Sequence, residues 1–140
     1  MRTLLYVMLF ISLISCRKQH DAPTVETPTV KKLEWHVYAS EKYTQPWLDS
    51  LEARVEVRIY KTDTARHTSQ TLWDTTFASR AIRQYPLLSE KYIIKKEVPV
   101  SLGEKLQVWY NIRYEMNGTA SEMGKLQIVQ EPFTFVDIRI

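Results

Sequence analysis

The chain has 140 residues, with 19 Lys and Arg against 16 Asp and Glu, one cysteine and three glycines. That excess of positive charge is small and interspersed with acidic residues, which excludes a nucleic-acid surface, where basic side chains gather on one face. A lone cysteine excludes a disulfide framework, and so few glycines leave no loop to cradle a phosphate.

The N-terminus comes first in chain order. After Met1-Arg2, the stretch from Leu4 to Ile14 is apolar except for Ser12. A hydrocarbon core of about 30 Å takes about 20 apolar residues at about 1.5 Å rise each, so this run is too short to span and is expected to be an export signal. Leu13 ahead of Ser15 departs from the small-residue pattern of ordinary signal cleavage. Leu13-Ile14-Ser15-Cys16 instead resembles the lipobox of bacterial lipoproteins, in which a small residue precedes a cysteine that is cleaved and lipidated. The resemblance covers residues 1 to 16. It implies a cut between Ser15 and Cys16, loss of residues 1 to 15, and a diacylglyceryl thioether and an N-acyl chain such as palmitate on Cys16. Each buried methylene adds about 0.8 kcal/mol, so several chains make release negligible. Loss of Arg2 leaves 18 basic residues (19 minus 1) against 16 acidic, close to neutral.

Arg17 to Lys32 reads RKQHDAPTVETPTVKK, with two prolines and no aromatic residue. This is the composition of a tether, reaching roughly 50 Å if extended and nearer about 20 Å as a flexible coil. Arg17 and Lys18 stand where they can touch anionic headgroups. Arg17-Lys18-Gln19 resembles neither the Asp signal of lipoproteins kept at the inner membrane nor the acidic cluster of those displayed on the surface. The expected location is the outer membrane, facing the periplasm.

Residues 33 to 140 are expected to form one domain, patterned with period two. In LEARVEVRIY, Leu51, Ala53, Val55, Val57 and Ile59 alternate with Glu52, Arg54, Glu56, Arg58 and Tyr60. In KLQVWYNIRYEM, Leu106, Val108, Tyr110, Ile112, Tyr114 and Met116 take the inward phase and Gln107, Trp109, Asn111, Arg113 and Glu115 the outward one. Weaker strands are expected at Leu33 to Ala39, Leu72 to Ala78, Tyr92 to Val98, Leu126 to Gln130 and Phe133 to Ile140, with a single helical turn near Pro46 to Asp49. Asn117-Gly118 marks a tight turn, and Thr119 to Lys125 suggest a longer loop after it. In the last run Phe133 and Phe135 fall on one face and Val136, Ile138 and Ile140 on the other, which suggests a bulge or a strand touching two layers. The expected fold is all-β, a seven-stranded antiparallel β-sandwich that resembles immunoglobulin-like or transthyretin-like domains, without the Cys-Trp-Cys pattern of antibody domains.

Chemistry leaves little trace. His20 lies in the tether, His36 on the outward phase of the first strand and His67 in a polar loop, and none shares ligand spacing with another. No Gly-x-Ser-x-Gly elbow is present, so no catalytic residue, metal site or cofactor is expected. Glu56 with Asp74, and Glu97 with Glu104, could face each other as carboxylate pairs, but pairing of each with a nearby Lys or Arg is the expected outcome. A hydrolase or metal enzyme would need His36 and His67 to meet in space.

Exposed aromatics are the better pointer. Trp109 and Tyr60 take outward phases, and Trp47 and Tyr43 sit in a loop; flat rings there suit a protein partner or a sugar ring. Asp49-Ser50-Leu51, Asp63-Thr64-Ala65 and Asp74-Thr75-Thr76 resemble the O-glycosylation triplet of exported Bacteroidetes proteins, with Ser50, Thr64 and Thr75 as acceptors. Asn117-Gly118-Thr119 fits an N-glycosylation triplet but reads as a turn. The sequence therefore suggests a non-enzymatic outer-membrane lipoprotein that docks an envelope protein. In architecture alone it resembles the outer-membrane lipoproteins of type VI secretion complexes. The alternative is a glycan-binding module using Trp109, Tyr60 or Trp47.

Overall fold

A computed structural model describes residues 27 to 140. Ser15, Cys16, the export signal and the expected tether as far as Glu26 lie outside the described residues. Seven strands follow in order: β1 (Thr29–Tyr38), β2 (Glu52–Asp63), β3 (Thr68–Ala81), β4 (Tyr92–Val100), β5 (Glu104–Met116), β6 (Thr119–Val129) and β7 (Phe133–Arg139). Short 3₁₀ turns occupy Pro46–Ser50, Ile82–Gln84 and Leu88–Glu90, the first at the helical turn expected near Pro46. The strands form a three-stranded sheet in the order β4-β1-β7 and a four-stranded sheet in the order β3-β2-β5-β6.

The two sheets stack in a sandwich-like arrangement because each supplies one apolar face. Leu33, Trp35 and Val37 of β1, Val55, Val57 and Ile59 of β2, Leu106, Val108 and Ile112 of β5 and Ile138 of β7 are closed to solvent. Each such side chain contributes about 1.5 to 3 kcal/mol by leaving water. The inward phases expected for β2 and β5 are the buried ones. Trp35 lies at the centre, its ring 5.9 Å from that of Trp73, and its Nε1 is buried without an acceptor among the described residues.

Four expectations are corrected. The sheet is not wholly antiparallel: β1 and β7 run parallel, with Lys32 opposite Phe133 and Tyr38 opposite Arg139. First and last strands have no hairpin between them, so no turn dictates their direction. β1 begins at Thr29 rather than Leu33, because β4 continues to Val100 and gives Thr29 to Lys32 partners. The loop expected from Thr119 to Lys125 is strand. Asn117 and Gly118 at φ 51° and 78° make a tight turn whose twist carries β6 straight back along β5. Finally β7 has no bulge: Thr134, Val136, Ile138 and Ile140 are buried in strict alternation with exposed Phe133, Phe135, Asp137 and Arg139. The register shifts occur on the β2 and β3 pair, between Ala53 and Val55 and between Ile59 and Tyr60.

Candidate functional site

The outer face of the small sheet is built by register. Phe133, Phe135, Asp137 and Arg139 of β7 lie beside Lys32, Glu34, His36 and Tyr38 of β1, and Ile93, Lys95 and Glu97 of β4 complete the face. Phe133 and Phe135 meet edge to face, with ring centroids 4.4 Å apart, yet stay 43% and 55% exposed. Ile93 is 49% exposed on the far side of β1. Isolated apolar residues at a surface need no explanation, whereas a paired aromatic cluster on an edge strand suggests contact with a partner.

His36 sits between these groups. Its Nε2 lies 2.7 Å from Glu34 Oε1 and its Nδ1 3.2 Å from Asp137 Oδ1, and its side chain is only 12% exposed. A neutral imidazole donates from one nitrogen, so both contacts are donated together only by the imidazolium. Its ring centroid is 5.6 Å from that of Phe135. Lys95 Nζ approaches Glu34 Oε2 to 3.2 Å. The hydrogen bond from His36, with Lys95 adding to it, holds the Glu34 carboxyl below the usual carboxylate range. Arg139 Nε donates to Tyr38 Oη at 3.0 Å and fixes the far end of the strip. The polar groups are thus tied to one another, and the two rings beside them are left open.

That geometry suits recognition. The carboxylates lie at opposite ends of the imidazole ring and do not converge on a point. Among the described residues no group of three His, Cys, Asp or Glu is placed to hold a metal ion. His67 stands in the turn between β2 and β3, on the other sheet, at φ 53°. Three of the four carboxylates expected to find cations do so, Glu56 with Arg54 and Arg58, Glu97 with Lys32, and Glu104 with Lys61, whereas Asp74 stands in register with Arg58 and forms no ion pair among the described residues.

The aromatics singled out from the sequence do not form one site. Trp109 and Tyr60 share the outer face of the large sheet, where the Arg58 guanidinium stacks 4.9 Å over the Trp109 ring and both rings are half-buried. Trp47 is 64% exposed on the 3₁₀ turn ahead of β2, off that face. Tyr43 is half-buried and donates to the Ile140 carbonyl at 2.7 Å. The hydroxyl-bearing candidates differ in access. Ser50 is exposed, Thr64 Oγ1 donates to the Gly103 carbonyl at 2.5 Å, and Thr75 lies half-buried on the inward face of β3, in register with Val57. Sequence reasoning missed the cluster of His36, Phe133 and Phe135. Its one signal was that Phe133 and Phe135 share a phase with charged Asp137 and Arg139, the mark of an outward face.

The described residues thus define an all-β, two-sheet domain of sandwich-like build. Comparison with models of known protein families, with curated proteins and with solved structures finds no match in any of the three.

Proposed function

We propose that this chain is a non-catalytic docking domain held to the bacterial outer membrane by lipid on Cys16 and facing the periplasm, where it engages another envelope protein. The observation behind the reading is the Phe133 and Phe135 pair, exposed on an edge strand that lacks proline, lysine and bulge. Natural edge strands are usually blunted by such features, and an aromatic pair on an unblunted edge offers both a hydrogen-bonding rim and an apolar anchor. Arg17 to Pro28 would carry the domain clear of the headgroups. Of the two folds the sequence resembles, the immunoglobulin arrangement keeps its first, second, fifth and fourth strands in one sheet. Here β1 and β2 lie in different sheets, which favours the transthyretin-like reading. The likeness to type VI secretion lipoproteins goes no further than this architecture. The glycan reading has less behind it, since Arg58 covers one face of Trp109 and Trp47 stands apart.

Two measurements test the proposal. Mass spectrometry of the protein from its native membrane should find Cys16 acylated as the first residue, and a free thiol there would end the lipoprotein reading. Cross-linking in intact cells should join the chain to one envelope protein, and Phe133→Lys with Phe135→Lys should abolish that product. An unchanged product would move the docking site elsewhere.

A further inference from the structure

The strands at the rims of the two sheets are not equally open to pairing. β3 carries two register shifts, and β4 carries Pro99 together with Lys95 and Lys96. β6 has no proline and no register shift, and a single lysine, Lys125. It pairs with β5 without interruption from Thr119 opposite Met116 to Val129 opposite Leu106. Its other edge has no partner among the described residues. Along it Met123, Leu126 and Ile128 are 52%, 54% and 51% exposed. A long regular edge with apolar side chains on both faces is a template for another strand.

We propose that this edge pairs with β6 of a second copy of the chain, antiparallel about a two-fold axis at Leu126. Of the registers centred on Gly124, Lys125 and Leu126, the sequence favours the last. A two-fold axis normal to the sheet keeps inward faces aligned only if it passes through a residue position. Centred on Gly124, the pairing sets Leu126 against Glu122 of the second copy. Centred on Lys125, it sets lysine against lysine, a destabilising like-charge pair. Centred on Leu126, it sets Leu126 against Leu126, Met123 against Val129, Lys125 against Gln127 and Glu122 against Gln130, with no like charges opposed.

In that register Ile128 of the second copy comes opposite Gly124. Gly124 shares the outer face with Leu126, the cross-strand neighbour of Trp109, so the isoleucine joins that face, while a Cβ on Gly124 itself would meet Asn111 Oδ1 and the Tyr110 carbonyl oxygen at 3.3 Å.

Sedimentation of the purified full chain should show a concentration-dependent dimer. Leu126→Lys, at an exposed position, should keep the wild-type circular dichroism and weaken the dimer roughly tenfold or more, since it replaces an apolar pair by opposed lysines. Directly opposed Cα atoms in antiparallel strands lie about 4.5 to 5.5 Å apart, within disulfide reach. With Cys16→Ser as background, Leu126→Cys should therefore cross-link to itself on oxidation, and Glu122→Cys should not. A monomer at every concentration, or equal cross-linking at both positions, overturns the proposal. Phe133→Lys with Phe135→Lys should leave the dimer intact, so this contact and the docking site on β7 fail separately.

Discussion

The two long sides of the stack are made differently. On the β3 and β4 side the sheets are laced together: Phe77 stacks on Tyr92 at 5.9 Å, Lys96 Nζ sits 4.5 Å over Trp73, and Arg80 lies over Tyr85 and Tyr92 while donating to Tyr92 Oη at 2.9 Å. On the β6 and β7 side no ring stacking or cation–π contact joins the layers among the described residues, Lys31 Nζ donates to the Gln130 carbonyl at 2.6 Å, and Met123, Leu126, Ile128, Phe133 and Phe135 face solvent. The first side carries the register shifts and the strand proline, features that blunt sheet edges. The other keeps its strands regular and leaves more of its large apolar residues exposed. Both proposed contacts, the docking pair on β7 and the self-pairing edge of β6, use this second side.

The comparison breaks first at Trp35, the buried ring under the closed side. Trp35→Ala should lower stability by about 3 to 5 kcal/mol in chemical denaturation. A loss below about 1 kcal/mol would show that the closed side does not depend on this packing. Tyr85 comes next, since its buried hydroxyl donates to the Ala53 carbonyl at 2.9 Å and ties the segment after β3 to β2. Tyr85→Phe should cost about 1 kcal/mol.

Burial also pushes the Tyr85 phenol up to about 12. The folded state therefore holds this proton more tightly than the unfolded chain, whose phenol titrates at 10.0. The associated stability is complete below that value and is lost as pH rises toward about 12. Wild-type stability should fall across that alkaline window, and Tyr85→Phe should flatten the fall. A profile unchanged by the substitution would remove Tyr85 as its source.

The open side should respond to acid instead, and by less. Glu34 is held below its ordinary value of 4.5 by His36 and then Lys95, so its contribution is present above that value and is lost as pH falls beneath it. Glu34→Gln should reduce the acid slope of stability, and an identical slope would count against the Glu34 and His36 contact. Smallest of all, Phe133→Lys with Phe135→Lys should change stability by no more than about 0.5 kcal/mol, because both rings are at the surface. A loss of several kcal/mol would make the pair part of the core and not a docking element.

Much of the fold was legible because alternation is a local property. Val55 and Val57 point inward together by chain geometry alone, whatever lies above them, and Asn117-Gly118 adopts positive φ values for equally local reasons. The polar start of β6 misled because its inward face carries Lys125 and Gln127. Burial along that face reaches only Gln127, in part, and Val129, so its exposed start from Thr119 to Lys125 carries little apolar signal.

By itself, then, the sequence determined the strand phases of β2 and β5, the turn at Asn117-Gly118, the 3₁₀ turn at Pro46 and the absence of any disulfide framework. The tertiary structure decided the parallel pairing of β1 with β7, the setting of His36 between Glu34 and Asp137, and which edges are blunted and which are left open. The reason is separation along the chain: His36 and Asp137 are 101 residues apart, and no local pattern encodes which distant strand arrives alongside or in which direction.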